Sequence, residues 1–144
     1  MDWRRWQARV RRASGSDLLF VVRAGATATI AAGLLRKVSL PWAVRLTCWR
    51  GPLRLGIPVE ARLIALVDRL LALDRGPLRP NCLLRSLVLL RYLGGGDDAV
   101  VLKVGIRPGV RPVDGHAWLE SEGEPVAERT DPRTAYLVTW SWPR

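Results

Sequence analysis

The sequence predicts an α+β fold, with helices first and a small antiparallel sheet after them. Three observations carry that reading. Leu63, Ile64, Val67, Leu70 and Leu71 recur at three- and four-residue steps, the period of a buried helix face. After Gly94-Gly95-Gly96 comes AVVLKVGI (99–106), almost continuously apolar and rich in β-branched residues, as in a central strand. VDGHAWLE (113–120) then alternates, so Val113, Ala117 and Leu119 share one face while Asp114, His116 and Trp118 share the other.

Taken in order, residues 1–13 read as a basic amphipathic helix, and Ser14-Gly15-Ser16-Asp17 as a break with capping residues. Residues 18–37 read as a mostly buried helix, weakened by Gly25 and Gly33. LLFVV (18–22) behind a basic N-terminus superficially resembles a signal peptide, but Arg23 interrupts it. AGATATIAAGLL (24–35) lasts 12 residues before Arg36 and Lys37, short of the roughly 20 that a membrane span needs. Pro41, Gly51 and Pro52 punctuate an irregular stretch with a short helix near 42–49. The next helix opens near Pro58, with Glu60 in its first turn, and Gly76, Pro77 and Pro80 end the segment. Another helix starts at Asn81-Cys82 and runs through LLRSLVLLRYL. Beyond the strands, Arg107-Pro108-Gly109 makes a turn, Glu122-Gly123-Glu124 a hairpin turn, and PVAER (125–129) the return strand. The tail through LVTWSWPR carries no clear assignment, although Trp140 and Trp142 share a face if extended, suited to closing the core or docking a partner.

The 144 residues suit one domain, and 49% hydrophobic content excludes a disordered chain. Net charge is +10, unevenly spread: residues 1–72 carry 13 Arg/Lys against 4 Asp/Glu, residues 73–144 carry 10 against 9. A basic first half, with Arg4, Arg5, Arg9, Arg11 and Arg12 clustered, suits an acidic peptide or protein, anionic lipid or nucleic acid. No helix-turn-helix, RNA-binding motif or finger accompanies the charge, so nucleic acid is not the expected partner. Two cysteines, Cys48 and Cys82, exclude a disulfide framework, and with one histidine no spacing suggests a metal site. Free thiols fit a reducing, cytoplasmic compartment. The basic, Trp-bearing N-terminus also suits peripheral attachment to a membrane.

The chemistry-bearing residues are Cys82 and His116. In RPNCLLRSL, Asn81 is a strong N-cap and Cys82 the first helical residue, where unpaired N–H groups and the helix dipole favour a thiolate. A helix-start cysteine followed by a strand-borne histidine is the constellation of papain-like and transglutaminase-like thiol enzymes. Their third polar residue, on the next strand, orients the imidazole; here Glu128 stands on the return strand and Asp131 follows. Cys48, in RLTCWRG, has no cap or partner and reads as a packing residue.

NCLLRSLVLLRYL, LKVGIR and GHAWLE with its glycine turn resemble the lasso-peptide leader peptidases of the transglutaminase-like superfamily, the microcin J25 maturation type. The likeness is specific over residues 80–129 and looser before them. It implies a Cys–His–acid triad of Cys82, His116 and Glu128, with Asp131 the alternative acid; the family has aspartate at that position. It implies a papain/transglutaminase-like core over residues 76–144 behind a basic helical part over 1–75, acting without a cofactor. It also implies the stand-alone protease of a split system. Its partners would be a precursor leader peptide, a small winged-helix leader-recognition protein, and an ATP-dependent lasso cyclase. A transglutaminase-like amidase or acyltransferase with the same pair, or a non-catalytic binding module, are the alternatives.

Around the pair, Arg85 and Ser86 share the Cys82 helix face and are candidates for site support or for surface and packing roles. Trp118 either shields the ion pair or packs. Asp114, two residues before His116, is expected in solvent.

Overall fold

The computed structural model describes residues 15–48, 60–72, 81–94 and 100–143. Within these, four helices precede a four-stranded antiparallel sheet: α1 (Gly15–Lys37), α2 (Leu40–Cys48), α3 (Glu60–Leu71) and α4 (Cys82–Leu93), then β1 (Val101–Ile106), β2 (Gly115–Ser121), β3 (Glu124–Val126) and β4 (Leu137–Trp142). The α+β expectation holds. The expected helix over 1–13, the Pro58 start, and the Gly76, Pro77 and Pro80 stop signals lie outside the described residues.

Helix α4 is the centre of the molecule because its sequence is apolar on nearly every side. Leu84, Leu87, Val88, Leu89 and Leu90 are all buried, at about 1.5–3 kcal/mol for each side chain removed from water. It packs on α1, α2 and α3 and lays against β1 and β2. Small residues let α1 approach: Ala24, Ala28, Ala31 and Ala32 are buried with Phe20. Phe20 meets the Tyr92 ring edge-on at 4.9 Å, and Thr27 Oγ1 lies 3.2 Å from the Tyr92 hydroxyl. In α3 the expected face is the real one, with Leu63, Val67, Leu70 and Leu71 buried.

Helix α1 differs from its expectation in length and burial. It begins at Gly15, inside the expected break, and continues unbroken past Arg23, since arginine is a good helix former. Its Leu18–Lys37 stretch is long and apolar enough to cross a membrane by length and composition, with 28% of its most apolar window buried. Only its alanine-lined face meets the core, while Leu18, Val22 and Ile30 are exposed.

The strand order is β3-β2-β1-β4. β1 pairs β2 with Gly105 opposite His116 and Lys103 opposite Trp118. The unassigned tail supplies β4, which pairs β1 with a register shift between Val104 and Gly105. Trp140 and Trp142 pack against the core, the closing role. β2 turns into β3 through Glu122 (φ 51°) and Gly123 (φ 83°), a pair of left-handed residues that matches hairpin twist. Alternation along β2 sends Ala117 and Leu119 into the main core, while Trp118 is fully buried on the other face. Gly105 makes room for it: a Cβ there would meet the Trp118 ring at 3.1 Å and the Leu137 carbonyl oxygen at 2.8 Å.

A buried phenol and a partly buried thiol tie this core to pH. Burial pushes the Tyr92 hydroxyl and the Cys48 thiol up from their ordinary values. A raised acid favours folding below its unfolded pKa and loses that contribution as pH climbs through its folded one. Stability should therefore decline above the ordinary thiol and phenol range. Tyr92→Phe, read by urea unfolding, should keep neutral-pH stability within about 1 kcal/mol and flatten the most alkaline part of that decline.

Candidate active site

Helix α4 opens on a cap. Asn81 is extended (φ −139°, ψ 151°) and its side-chain oxygen accepts the Leu84 N–H at 2.6 Å. Cys82 is thus the first helical residue, as the sequence suggests, and the N–H groups of the first turn have no acceptor within the helix. Cys82 and His116 line one cleft of about 740 Å³, together with Asp68, Arg85, Glu128 and Tyr136. Both cysteines are free thiols. Cys48 lies at the end of α2, packed against the core.

The imidazole is held on three sides. His116 Nε2 lies 3.1 Å from Glu128 Oε2. An ionised carboxylate only accepts, so this contact is a hydrogen bond when Nε2 carries the proton, the tautomer that leaves Nδ1 as the basic nitrogen. One face stacks on Trp118, centroids 5.9 Å apart at 15°, and the Tyr136 ring leans in at 5.2 Å. Trp118 is fixed in turn, its indole N–H donating to Glu120 Oε1 at 2.9 Å. Trp118 is thus a fully buried side chain with its ring stacked alongside the imidazole.

Glu128 reaches His116 from an irregular position. The return strand ends at Val126, two residues before the expected Glu128. Ala127 takes a left-handed backbone, φ 63°, which no strand accommodates. Arg85 grips both ends of this kink: Nη2 donates to the Ala127 carbonyl at 2.9 Å, and Nη1 to Glu128 Oε1 at 3.2 Å. Its other side meets Asp68 of α3, Nε to Oδ1 at 2.7 Å and Nη2 to Oδ2 at 3.3 Å. That hydrogen bond to Asp68 drives the guanidinium above its already high pKa, so it is a permanent cation.

Asp131 is engaged elsewhere. It caps the short 3₁₀ turn Pro132–Thr134 and accepts from Arg133 backbone and guanidinium, Nη2 to Oδ2 at 2.7 Å. Arg133 holds its carboxyl below the usual range. Between the two acids weighed for the third position, Glu128 contacts the imidazole and Asp131 contacts Arg133. Ser86 is buried, its hydroxyl donating to the Ala117 carbonyl at 3.0 Å. That bond ties α4 to β2 beside His116.

Asp114 keeps 39% of its side chain in solvent, as its spacing suggested, but it is also paired. It pairs with Arg107 Nε at 3.1 Å and accepts from the Tyr136 hydroxyl at 3.2 Å. Arg107 in turn lies over the Tyr136 ring, 4.9 Å from its centroid. Sequence reading missed Asp68, Arg107 and Tyr136. Asp68 sits on the polar side of a helix read only for its apolar face, and Tyr136 lies in the unassigned tail.

Comparison with curated proteins and with solved structures returned no match. A family model does match, described as the transglutaminase-like superfamily, over residues 1–141. With a capped helix-start thiol and a carboxylate-bound imidazole in one cleft, the chain belongs to the transglutaminase-like superfamily, whose members are typically cysteine peptidases or acyltransferases.

Proposed function

We propose that this protein is a cysteine peptidase that removes the leader from a ribosomally made lasso-peptide precursor. The observation that carries the thiol chemistry is the cleft shared by Cys82, at the start of α4, and His116, whose Nε2 is occupied by Glu128. The leader assignment draws on the CLLRSL and GHAWLE motifs, and it goes beyond the superfamily.

In this reading His116 Nδ1 takes the Cys82 proton and the thiolate attacks the carbonyl carbon of the leader–core bond. The backbone N–H of Cys82 helps hold the resulting oxyanion. As the C–N bond breaks, the imidazolium gives its proton to the departing amine, which becomes the core's new N-terminus. Water, deprotonated by His116, then cleaves the thioester, and the leader leaves as a carboxylate. Glu128 holds the ring in the required tautomer throughout. A small winged-helix recognition protein would deliver the leader in the cytoplasm, and an ATP-dependent cyclase would consume the freed amine. The +9 balance of residues 1–72 suits docking of an acidic peptide or partner.

The test is to mix the protein with a precursor peptide and its winged-helix recognition protein, and to identify products by mass spectrometry. One leader–core cut is expected, reduced by about 10³-fold or more in Cys82→Ala and His116→Ala. A cut surviving Cys82→Ala would refute the thiol mechanism, whereas a product carrying an added amine would move the assignment to acyl transfer. Glu128→Gln should lower the rate about tenfold or more, and Asp131→Ala should stay within about threefold of wild type. The reverse order would make Asp131 the third residue.

A further inference from the structure

We propose that Asp68 and Arg85 are positioning residues: Asp68 locks the Arg85 fork, and the fork holds Glu128 against His116. This deepens the thiol-site reading above and rests on it.

A glutamate is a poor orienting group unless something restrains it. It has one more rotatable bond than the aspartate of the resembling family, and freezing such a side chain costs conformational entropy. Here both carboxylate oxygens are used, Oε2 by His116 and Oε1 by Arg85. Arg85 also captures the carbonyl of Ala127, the left-handed residue that turns Glu128 out of the strand. One guanidinium therefore fixes both the backbone approach and the carboxylate rotamer. Planar forks do this where a lysine ammonium cannot, because two directions are set at once.

Asp68 has two effects on the fork. Geometrically, its bidentate grip, 2.7 and 3.3 Å, fixes the guanidinium plane from the α3 side. Electrostatically, it offsets the Arg85 charge, so that Glu128 is not neutralised by its own clamp. Asp68, Arg85 and Glu128 together carry one net negative charge beside the ring. Without Asp68 the remaining Arg85–Glu128 pair would be neutral, and the imidazolium that forms during catalysis would lose its net counter-charge. Asp68 lines the cleft but contacts neither His116 nor Cys82 through any hydrogen bond among the described residues. Its influence passes through Arg85.

Alkylation of Cys82 by iodoacetamide at about pH 6.5, below the ordinary thiol pKa, reads the thiol–imidazole pair without any peptide substrate. The Cys82 and Cys48 peptides are resolved by mass spectrometry. Wild type should react fast and His116→Ala slowly. Asp68→Asn should slow Cys82 about fivefold, and in the cleavage assay lower kcat with KM within about twofold. Arg85→Lys, which keeps the charge and loses the fork, should be as slow as Arg85→Met. The deciding readout is a double-mutant cycle: in a Glu128→Gln background, Asp68→Asn should have no further effect. An equal slowing in both backgrounds, or Asp68→Asn matching wild type while His116→Ala is slow, would overturn the positioning role alone. Equal rates for wild type and His116→Ala would overturn the thiol–imidazole site and the role with it. Asp68 is a half-exposed side chain, so its variant keeps the test decisive if an Arg85 variant fails to fold.

Discussion

The bond from the Leu84 N–H to Asn81 Oδ1 decides where α4 begins, and the rest of the site follows from that start. Once Cys82 is the first helical residue, the helical period places Arg85 and Ser86 on its side of the helix, three and four residues on. Cys82 faces the cleft, Arg85 reaches Asp68 and Glu128, and Ser86 bonds the strand that carries His116. A slide of the helix by one residue would rotate all three by about 100°. The cap matters because α4 is buried along most of its length and cannot slide without emptying the core.

The sheet supplies the other half of the site under equally tight constraint. Register puts His116 opposite Gly105, and the missing Cβ there leaves space for Trp118, on which the imidazole stacks. Behind the histidine, charges are arranged in sequence: Asp68, Arg85, Glu128, then the ring. Each partner satisfies the next, and among the described residues no buried side-chain nitrogen or oxygen is left without a hydrogen bond. A partly buried ionic chain of this kind adds little to stability. What it supplies is a single geometry.

Much of this was legible in the sequence because the signals are local. Asn before Cys, with proline ahead, marks a helix start whatever surrounds it. Alternation in GHAWLE assigns faces without knowledge of the partner strand, and Leu63 to Leu71 declare a helix by period alone. What was not legible depends on tertiary contact. The outer face of α1 looked buried because apolar sequence cannot reveal which side meets the core. The β4 strand was hidden in a tail whose pairing with β1 is set by distant residues. The contacts that distinguish Glu128 from Asp131 are likewise tertiary: Arg133 occupies Asp131, while Glu128, just after the left-handed Ala127, meets His116. Asp68, 17 residues from Arg85 in sequence, carried no signal at all.

Because His116 is the chain's only histidine, one nitrogen-15 spectrum of the labelled ring reports the central claim without overlap. The account predicts that Nε2 is protonated and bonded to Glu128. It further predicts that the Nδ1 signal moves when Cys82 is alkylated, and the Nε2 signal when Glu128 becomes glutamine. A bare Nε2, or a ring spectrum unchanged by both modifications, would contradict it.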